Sequence, residues 1–237
     1  MRNAVVIPVS GEHSLVIASD NSGSIGMKEN DAVRVPYETV GYFSFRVAVM
    51  ELMATGAFPL SVVIHNFCGD EAWGGLVSGV KKGLAEAKVE NVEITGSTES
   101  NFPLSQSAVG INVIGLARKP VLQDDLPPLN GWRVVLVGLP LVGMDVIEKA
   151  EFVAPLSLFK EIASLEDVYV WPVGSKGVLH ELKRIIPHID EGTIDLGIDL
   201  HSSGGPSTSF LAIYPEEKHP FVTQLLQVTG TCHRFVI

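Results

Sequence analysis

With 237 residues, 46% of them hydrophobic and 19% charged, the chain has enough apolar side chains for one large domain or two small ones and too many for a disordered protein. Its formal net charge of −10 excludes a general nucleic-acid-binding protein, whose surface would be basic. The sequence contains no signal peptide, no apolar run long enough to span a membrane and only two cysteines, Cys68 and Cys232, so we expect a cytoplasmic protein with reduced thiols that binds neither nucleic acid nor a membrane.

Residues 1–119 are predicted to form the first of two domains. Short apolar runs that are rich in β-branched residues and bounded by turn residues predict strands, whereas apolar residues at helical spacing between Pro36 and Gly56 predict a long helix. The predicted elements are strands in AVVIPV, SLVIAS, LSVVIHNF, NVEITG and QSAVGINVIGLARK and helices in PYETVGYFSFRVAVMELMATG and DEAWGGLVSGVKKGLAEAK.

A linker is predicted in PVLQDDLPPLNG, because this segment has three prolines and no apolar period. The second predicted domain, residues 130–237, alternates strands with helices, which indicates a mixed α/β (α+β) fold. Its predicted elements are strands in WRVVLVGLPLVG, DVYVWPV, TSFLAIYP and CHRFVI and helices in MDVIEKA, LSLFKEIASL, SKGVLHELKRII and HPFVTQLLQVTG.

The stretch ASDNSGSIGMKEND, residues 18–31, places an acid and a run of Asn, Ser and Gly directly after the predicted strand SLVIAS and has two interpretations. Gly, Asn, Asp and Ser are ordinary turn residues, so it could be a surface loop. Backbone N–H groups in such a turn also hold phosphate oxygens, and a carboxylate at the end of a strand can hold Mg²⁺. The second interpretation makes Asp20, Asn21, Gly23, Ser24 and Lys28 candidate nucleotide-binding residues.

Several fragments, in this order along the chain, resemble the ATP-binding superfamily of aminoimidazole ribonucleotide synthase, selenophosphate synthetase, thiamine monophosphate kinase and the hydrogenase-maturation dehydratase. SDNSGS resembles its T-D-G-x-G-T type motif, MELMATGAFP its S-D-x-x-A-M-G-A-x-P helix end, and ITGSTES the segment that closes with G-G-D-T. VGSKGVLHEL stands where the superfamily has D-x-S-D-G-G-L. The resemblance implies ATP and Mg²⁺ as cofactors, an N-terminal sheet that forms a barrel between the subunits of a homodimer, and a C-terminal α/β sandwich.

The same resemblance implies that Asp20 and Glu51 bind Mg²⁺, since Glu51 takes the place of an aspartate of the superfamily. A carboxylate within the apolar helix FRVAVMELMATG must reach water, pair with a cation or bind a metal, because burying it bare is costly. An ion pair with Arg46, five residues earlier, is the structural alternative.

In ITGSTES the acid of the superfamily is replaced by Ser97, so either Glu99 is the third metal ligand or one metal is lost. Gly96, Ser97 and Thr98 are predicted to give the nucleotide backbone and hydroxyl ligands. Asp70, which opens the following helix, is a candidate catalytic residue with helix capping as the alternative.

The turn from Gly174 to Gly177 precedes a predicted helix and carries Ser175 and Lys176 where the superfamily has Asp and Gly. Such a turn can present N–H groups, a hydroxyl and an ammonium to a phosphate. We therefore predict that Gly174 and Gly177 contact the nucleotide and that Ser175 and Lys176 are catalytic. A capped helix start with a surface lysine is the alternative.

The predicted function is ATP- and Mg²⁺-dependent transfer of phosphate to an alcohol group of a nucleoside-like small molecule. The compact chain with GSTES and GSKG most resembles the α-ribazole kinase group, which implies phosphorylation of the 5′-hydroxyl of α-ribazole in cobamide (vitamin B12) salvage. Two alternatives stay open: a kinase for a thiamine phosphate-like acceptor, and a nucleotide-binding regulator that has lost catalysis, which Ser97 and Ser175 would suit.

Overall fold

The computed structural model describes residues 4–121 and 126–236, and the chain divides into two compact units, Met1–Pro120 and Val121–Ile237. Each unit has one main β-sheet with helices packed on it, which confirms the predicted mixed α/β fold. Both cysteines are free thiols, and no helix in the described ranges combines the length and the apolar character needed to cross a bilayer.

Unit 1 has a five-stranded sheet in the order β1-β2-β7-β5-β6, in which only β5 and β6 run parallel. The two shortest strands, β3 and β4, form a separate parallel pair. The elements of the unit are β1 (Ala4–Ser10), β2 (His13–Gly23), β3 (Ile25–Gly26), β4 (Val33–Arg34), α1 (Tyr37–Met53), β5 (Phe58–Asn66), α2 (Asp70–Glu86), β6 (Glu93–Thr98) and β7 (Ala108–Ala117).

The predicted end of the second strand at Asp20 is wrong. Strand β2 continues to Gly23, and β7 pairs with it throughout, with Asp20 opposite Ile111 and Gly23 opposite Ala108. Because the ten-residue β7 supplies backbone partners for the whole stretch, strand pairing overrides the turn preference of Asn, Ser and Gly. The turn starts only at Ser24, whose φ of 61° is left-handed.

One face of this sheet is covered by α1 and α2, and no described helix of unit 1 packs on the other, which is called the open face below. Residues at alternate positions fill the covered side, among them Val16, Ala18 and Ile111, as expected of a half-buried antiparallel sheet. The two helices approach closely at glycines: a Cβ at Gly79 would lie 2.1 Å from the Glu38 carbonyl oxygen. Small residues at this crossing therefore allow both helices to lie on the same face.

Unit 2 has a four-stranded antiparallel sheet in the order β11-β8-β10-β9. All six residues of its central strand β10 are buried, so both faces of the sheet are covered. The elements of the unit are β8 (Trp132–Val137), α3 (Asp145–Glu148), α4 (Leu156–Ala163), β9 (Tyr169–Pro172), α5 (Gly177–Ile185), β10 (Phe210–Pro215), α6 (His219–Thr229) and β11 (His233–Phe235).

Helices lie on both faces of the second sheet. Leu182 of α5 packs with Leu211 and Leu136 on one face, whereas the ring of Phe159 in α4 meets that of Phe210 edge to face at 4.9 Å on the other. The resulting layers of helix, sheet and helix form the α/β sandwich that the sequence predicts for this half of the chain.

Candidate functional site

Two of the predicted metal ligands, Asp20 and Glu51, are brought together in unit 1. Asp20 follows Val16 and Ala18 on the side of β2 that faces α1, since side chains alternate along a strand. Ser44 and Glu51 are buried on α1, seven residues and thus two turns apart on one helix face. The Ser44 hydroxyl donates a hydrogen bond to the Asp20 carboxylate. Glu51 lies close enough for its negative charge to raise the pKa of Asp20.

Burial and the nearby Glu51 both raise the pKa of Asp20. Loss of hydration raises the pKa of its carboxyl to about 7, hydrogen bonds from Asn21 and Ser44 oppose this shift, and the nearby negative charge of Glu51 adds to it. Two carboxyl groups that disfavour simultaneous ionisation form a typical site for a shared proton or a bound cation.

The third predicted ligand, Glu99, is not part of this pair. Glu99 follows β6, and three strand spacings of roughly 4.8 Å, or about 14 Å in all, separate β6 from β2. Within residues 4–121 and 126–236, no three or more His, Cys, Asp or Glu side chains are grouped so as to hold a metal ion. Asp20 and Glu51 could therefore supply only part of a metal's coordination.

Lys28, Asp70 and Glu99, also predicted from the sequence, meet instead in a cleft of about 590 Å³ in unit 1. Its walls come from residues 28–30, from residues 67–71, and from residues 99–100 with 102–105. The first wall follows the β3 strand, and the other two follow the carboxyl ends of the parallel strands β5 and β6. Ligand sites in sheets with parallel strands are common at such ends.

Lys28 fastens two walls of this cleft. Its Nζ donates to the carbonyl oxygen of Leu104 at 2.8 Å and lies 3.3 Å from that of Phe67. The Lys28 ammonium, which the sequence predicts as a nucleotide contact, thus has two carbonyl partners within the cleft.

Asp31, which the sequence did not single out, anchors the same wall. Its carboxylate accepts hydrogen bonds from the Ser107 amide and hydroxyl, both at 2.7 Å, and from the Lys28 amide at 2.9 Å. Partial burial raises the pKa of Asp31, but these hydrogen bonds outweigh it and hold the pKa below its ordinary value. Ser107 lies 76 residues away along the chain, so no local pattern could reveal the contact.

The predicted nucleotide ligands Gly96, Ser97 and Thr98 lie in β6, and the side chains of Ser97 and Thr98 project from opposite faces of the strand. Ser97 lies beside His65 on the open face, opposite to the face that carries Asp20, whereas Thr98 accepts a hydrogen bond from Asn66 at 3.0 Å. Gly96 permits close strand pairing, since a Cβ there would lie 2.0 Å from the Ile64 carbonyl oxygen. Strand alternation thus prevents these residues from forming one phosphate cradle.

A polar row on the open face includes His65. The Ser19 hydroxyl donates to Asn112 Oδ1 at 2.5 Å, and Asn112 Nδ2 lies 2.9 Å from His65 Nε2. Asn21 and Ser97 are in register with His65 through Gly110, so these two predicted residues belong to this face as well.

In unit 2, the predicted phosphate turn engages its own backbone. The Gly177 amide donates to the Gly174 carbonyl at 3.0 Å, and the Leu179 amide in the first turn of α5 donates to the Leu200 carbonyl at 3.0 Å. Neither amide is available to a phosphate, which corrects the role predicted for Gly177. The side chains of Ser175 and Lys176 are exposed, and among the described residues Lys176 has no ion-pair partner.

Comparisons with known proteins agree with this fold. Residues 1–117 match the family described as AIR synthase related protein, N-terminal domain. No curated protein sequence matches the chain.

Solved structures resemble nearly the whole chain at low sequence identity. Thiamine-monophosphate kinase from Stenotrophomonas maltophilia is 14% identical with a TM-score of 0.63, over 95% of this chain and 84% of that one. Hydrogenase maturation protein HypE in complex with ATP is 14% identical with a TM-score of 0.62, over 93% and 74%. AaThiL complexed with AMPPCP and TMP is 14% identical with a TM-score of 0.61, over 92% and 81%. At these identities the likeness establishes the fold.

The raised pKa of Asp20 makes its effect on stability depend on pH. Folding raises this pKa from 3.8 to about 7, so the ionised carboxylate destabilises the folded state above pH 7, and this penalty disappears as the pH falls towards 4. We expect Asp20→Asn to raise the free energy of unfolding at pH 8 by at most about 4 kcal/mol, less where solvent screens the charge, and to raise it by less than half as much at pH 5.

Thermal unfolding at pH 8, 6.5 and 5 measures this effect. Asp145→Asn, which removes an exposed ion pair with Lys149, is the control and should change stability by less than about 0.5 kcal/mol. A lower melting temperature of Asp20→Asn at pH 8 would instead indicate that the carboxylate stabilises the fold.

Proposed function

We propose that this chain, which has the aminoimidazole ribonucleotide synthase-like fold, is an ATP- and Mg²⁺-dependent kinase that phosphorylates an alcohol group of a nucleoside-like small molecule. The observation that carries the proposal is the meeting of Asp20 and Glu51 on facing sides of β2 and α1. Both were predicted as metal ligands from separate motifs, and their mutual repulsion is what a divalent cation would relieve. The thiamine-monophosphate kinase and the ATP-bound and AMPPCP-bound neighbours support the choice of reaction class.

The donor set suits Mg²⁺, which prefers hard oxygen ligands and commonly takes only one or two protein carboxylates besides water and substrate phosphates. When bound, Mg²⁺ offsets the charge of the ATP phosphates during transfer. In this proposal Asp20 and Glu51 hold the metal, and the Ser44 hydroxyl fixes the orientation of the Asp20 carboxylate.

The acceptor's hydroxyl must lose its proton during transfer. Asp70 and Glu99 are the carboxylates of the cleft that the sequence had already indicated, and either could accept this proton. The exposed side chains of Lys176 and Ser175 stay proposed catalytic residues, because an ammonium near the transferred phosphate would stabilise charge that grows in the transition state.

For the acceptor we propose α-ribazole, with phosphorylation of its 5′-hydroxyl in cobamide salvage. The support is the resemblance of GSTES and GSKG to the α-ribazole kinase group. A regulator that binds nucleotide without catalysis is the second candidate, because Ser97 replaces the acid of the superfamily and the described residues assemble no cluster of three ligands. A thiamine phosphate-like acceptor would require a cation free to bind its phosphate.

A homodimer is also part of the proposal, and the open face of the first sheet supports it. Val5 is 59% exposed and Ile7 43% exposed on this face, opposite Ile17 and Leu15 of β2. Large exposed apolar patches commonly mark interfaces between subunits. We expect light scattering at micromolar concentration to give twice the chain mass of 25.5 kDa. Val5→Lys should lower the measured mass towards that of one chain. A single-chain mass for the unaltered protein would contradict the dimer.

The kinase activity itself is tested with a panel of nucleosides and vitamin precursors, including α-ribazole and thiamine phosphate, incubated with ATP and Mg²⁺. We expect acceptor-dependent ADP formation, with the phosphorylated acceptor identified by mass spectrometry. Asp20→Asn and Glu51→Gln should each weaken Mg-ATP binding and lower turnover by at least about tenfold, since the amides keep the volume but lose the charge. Their circular dichroism should match that of the unaltered chain.

Glu90→Gln, which neutralises an exposed acid outside both sites, is the matched control and should behave as the unaltered chain. Mg-ATP binding with no phosphorylation of any acceptor would favour the regulator. Unchanged Mg-ATP binding and turnover in both carboxylate variants would exclude Asp20 and Glu51 as metal ligands.

A further inference from the structure

The cleft of unit 1 has properties that define the chemistry of its ligand. Its volume of about 590 Å³ lies in the range of small-molecule sites and is sufficient for a molecule of nucleoside size. Phe102, which is 76% exposed, and Phe67, which is 41% exposed, line it together with Leu104. Exposed aromatic rings in a concave surface offer stacking partners to a planar ligand.

The cleft walls are fixed before any ligand binds. Lys28 connects the walls at Phe67 and Leu104, as described above, and the Gln106 side-chain amide donates to the Asn30 carbonyl at 2.7 Å. The third wall is stiffened by Glu99, whose carboxylate accepts from the Asn101 amide at 2.7 Å. A preformed site loses little conformational entropy when a ligand binds.

The charge of the lining disfavours an anion. Four carboxylates line the cleft against one ammonium, and that ammonium, on Lys28, donates to two carbonyl oxygens of the walls. A phosphate in the cleft would meet uncompensated negative charge. The carboxylates are those of Glu29, Asp70, Glu71 and Glu99.

From these three observations we propose that the cleft binds a neutral or cationic planar aromatic molecule that carries hydroxyl groups, and that it rejects the same molecule once it is phosphorylated. The ring stacks against Phe102 and Phe67, and the hydroxyl groups donate to the carboxylates. If the molecule is the kinase acceptor, which rests on the proposed function, the cleft expels the product because a phosphate dianion has been added to it. The negative charge of the carboxylates in the cleft walls then causes the weaker binding of phosphorylated acceptors.

Binding is measured by isothermal titration calorimetry without ATP or Mg²⁺, so that the result does not depend on catalysis. The probes are benzimidazole riboside and its 5′-monophosphate. We expect the riboside to bind and the monophosphate to bind at least tenfold more weakly. The difference should be smaller at 1 M salt, because salt screens the repulsion between the carboxylates and the phosphate.

Variants separate the two parts of the inference. Phe102→Ala should weaken riboside binding by roughly tenfold, the range of one lost stacking contact, whereas Phe102→Tyr should retain it. Phe221→Ala, which removes an exposed ring of α6 in unit 2, is the control and should have no effect. Glu71→Gln removes one negative charge but keeps an oxygen that accepts a hydrogen bond, so it should weaken riboside binding less than it reduces the discrimination against the monophosphate.

Equal affinity for riboside and monophosphate, or full riboside affinity in Phe102→Ala, would overturn the inference. Loss of Mg-ATP binding in Phe102→Ala with riboside binding intact would assign the cleft to the nucleotide and overturn it while leaving the kinase proposal in place. Riboside binding as expected but no phosphorylation of any acceptor would uphold the cleft and refute the kinase.

Discussion

Two carboxyl groups meet between β2 and α1, and this close approach is the main electrostatic constraint on the candidate site of unit 1. Placing Glu51 in an apolar helix is costly unless its charge is offset, and placing Asp20 close to it adds repulsion. Strand alternation directs Asp20 towards α1, and helical periodicity places Ser44 and Glu51 on one helix face. The backbone geometry thus holds two buried carboxyl groups close together, and ionisable groups perturbed in this way are common at functional sites.

The cleft of unit 1 is also lined by carboxylates, but here they face a ligand-sized space. Its carboxylates surround open space, and its lysine has carbonyl partners, so the walls attract cations or neutral donors and repel phosphate. Asp31 and Lys28 hold this wall in place through hydrogen bonds that span long sequence separations. Under the proposed function, Asp20 and Glu51 would hold the metal of the phosphate donor and the cleft would hold the neutral or cationic acceptor, so these two chemically different ligands would not compete for one site.

The sequence predicted the elements of the fold well because their signals are local. Helical spacing between Pro36 and Gly56 and the apolar runs of the strands each fall within one element. What it missed depends on distant partners: β2 extends past Asp20 because β7 pairs with it, and the Leu179 amide at the start of α5 is engaged by the Leu200 carbonyl. The proximity of Asp20 and Glu51 could be expected only from the resemblance to a known superfamily, whereas the anchoring role of Asp31 had no sequence signal.

The central claim, that Asp20 and Glu51 hold a divalent cation, is tested most directly by electron paramagnetic resonance with Mn²⁺ in place of Mg²⁺, because the signal of free Mn²⁺ falls when the ion binds. We expect that at pH 8 the protein with ATP lowers the free Mn²⁺ signal further than ATP alone, which also binds the ion, that this additional binding weakens as the pH falls below about 7 and protons compete for Asp20, and that Asp20→Asn abolishes it. Mn²⁺ binding that is unchanged in Asp20→Asn and Glu51→Gln, or that is absent at pH 8 with and without ATP, would contradict the account.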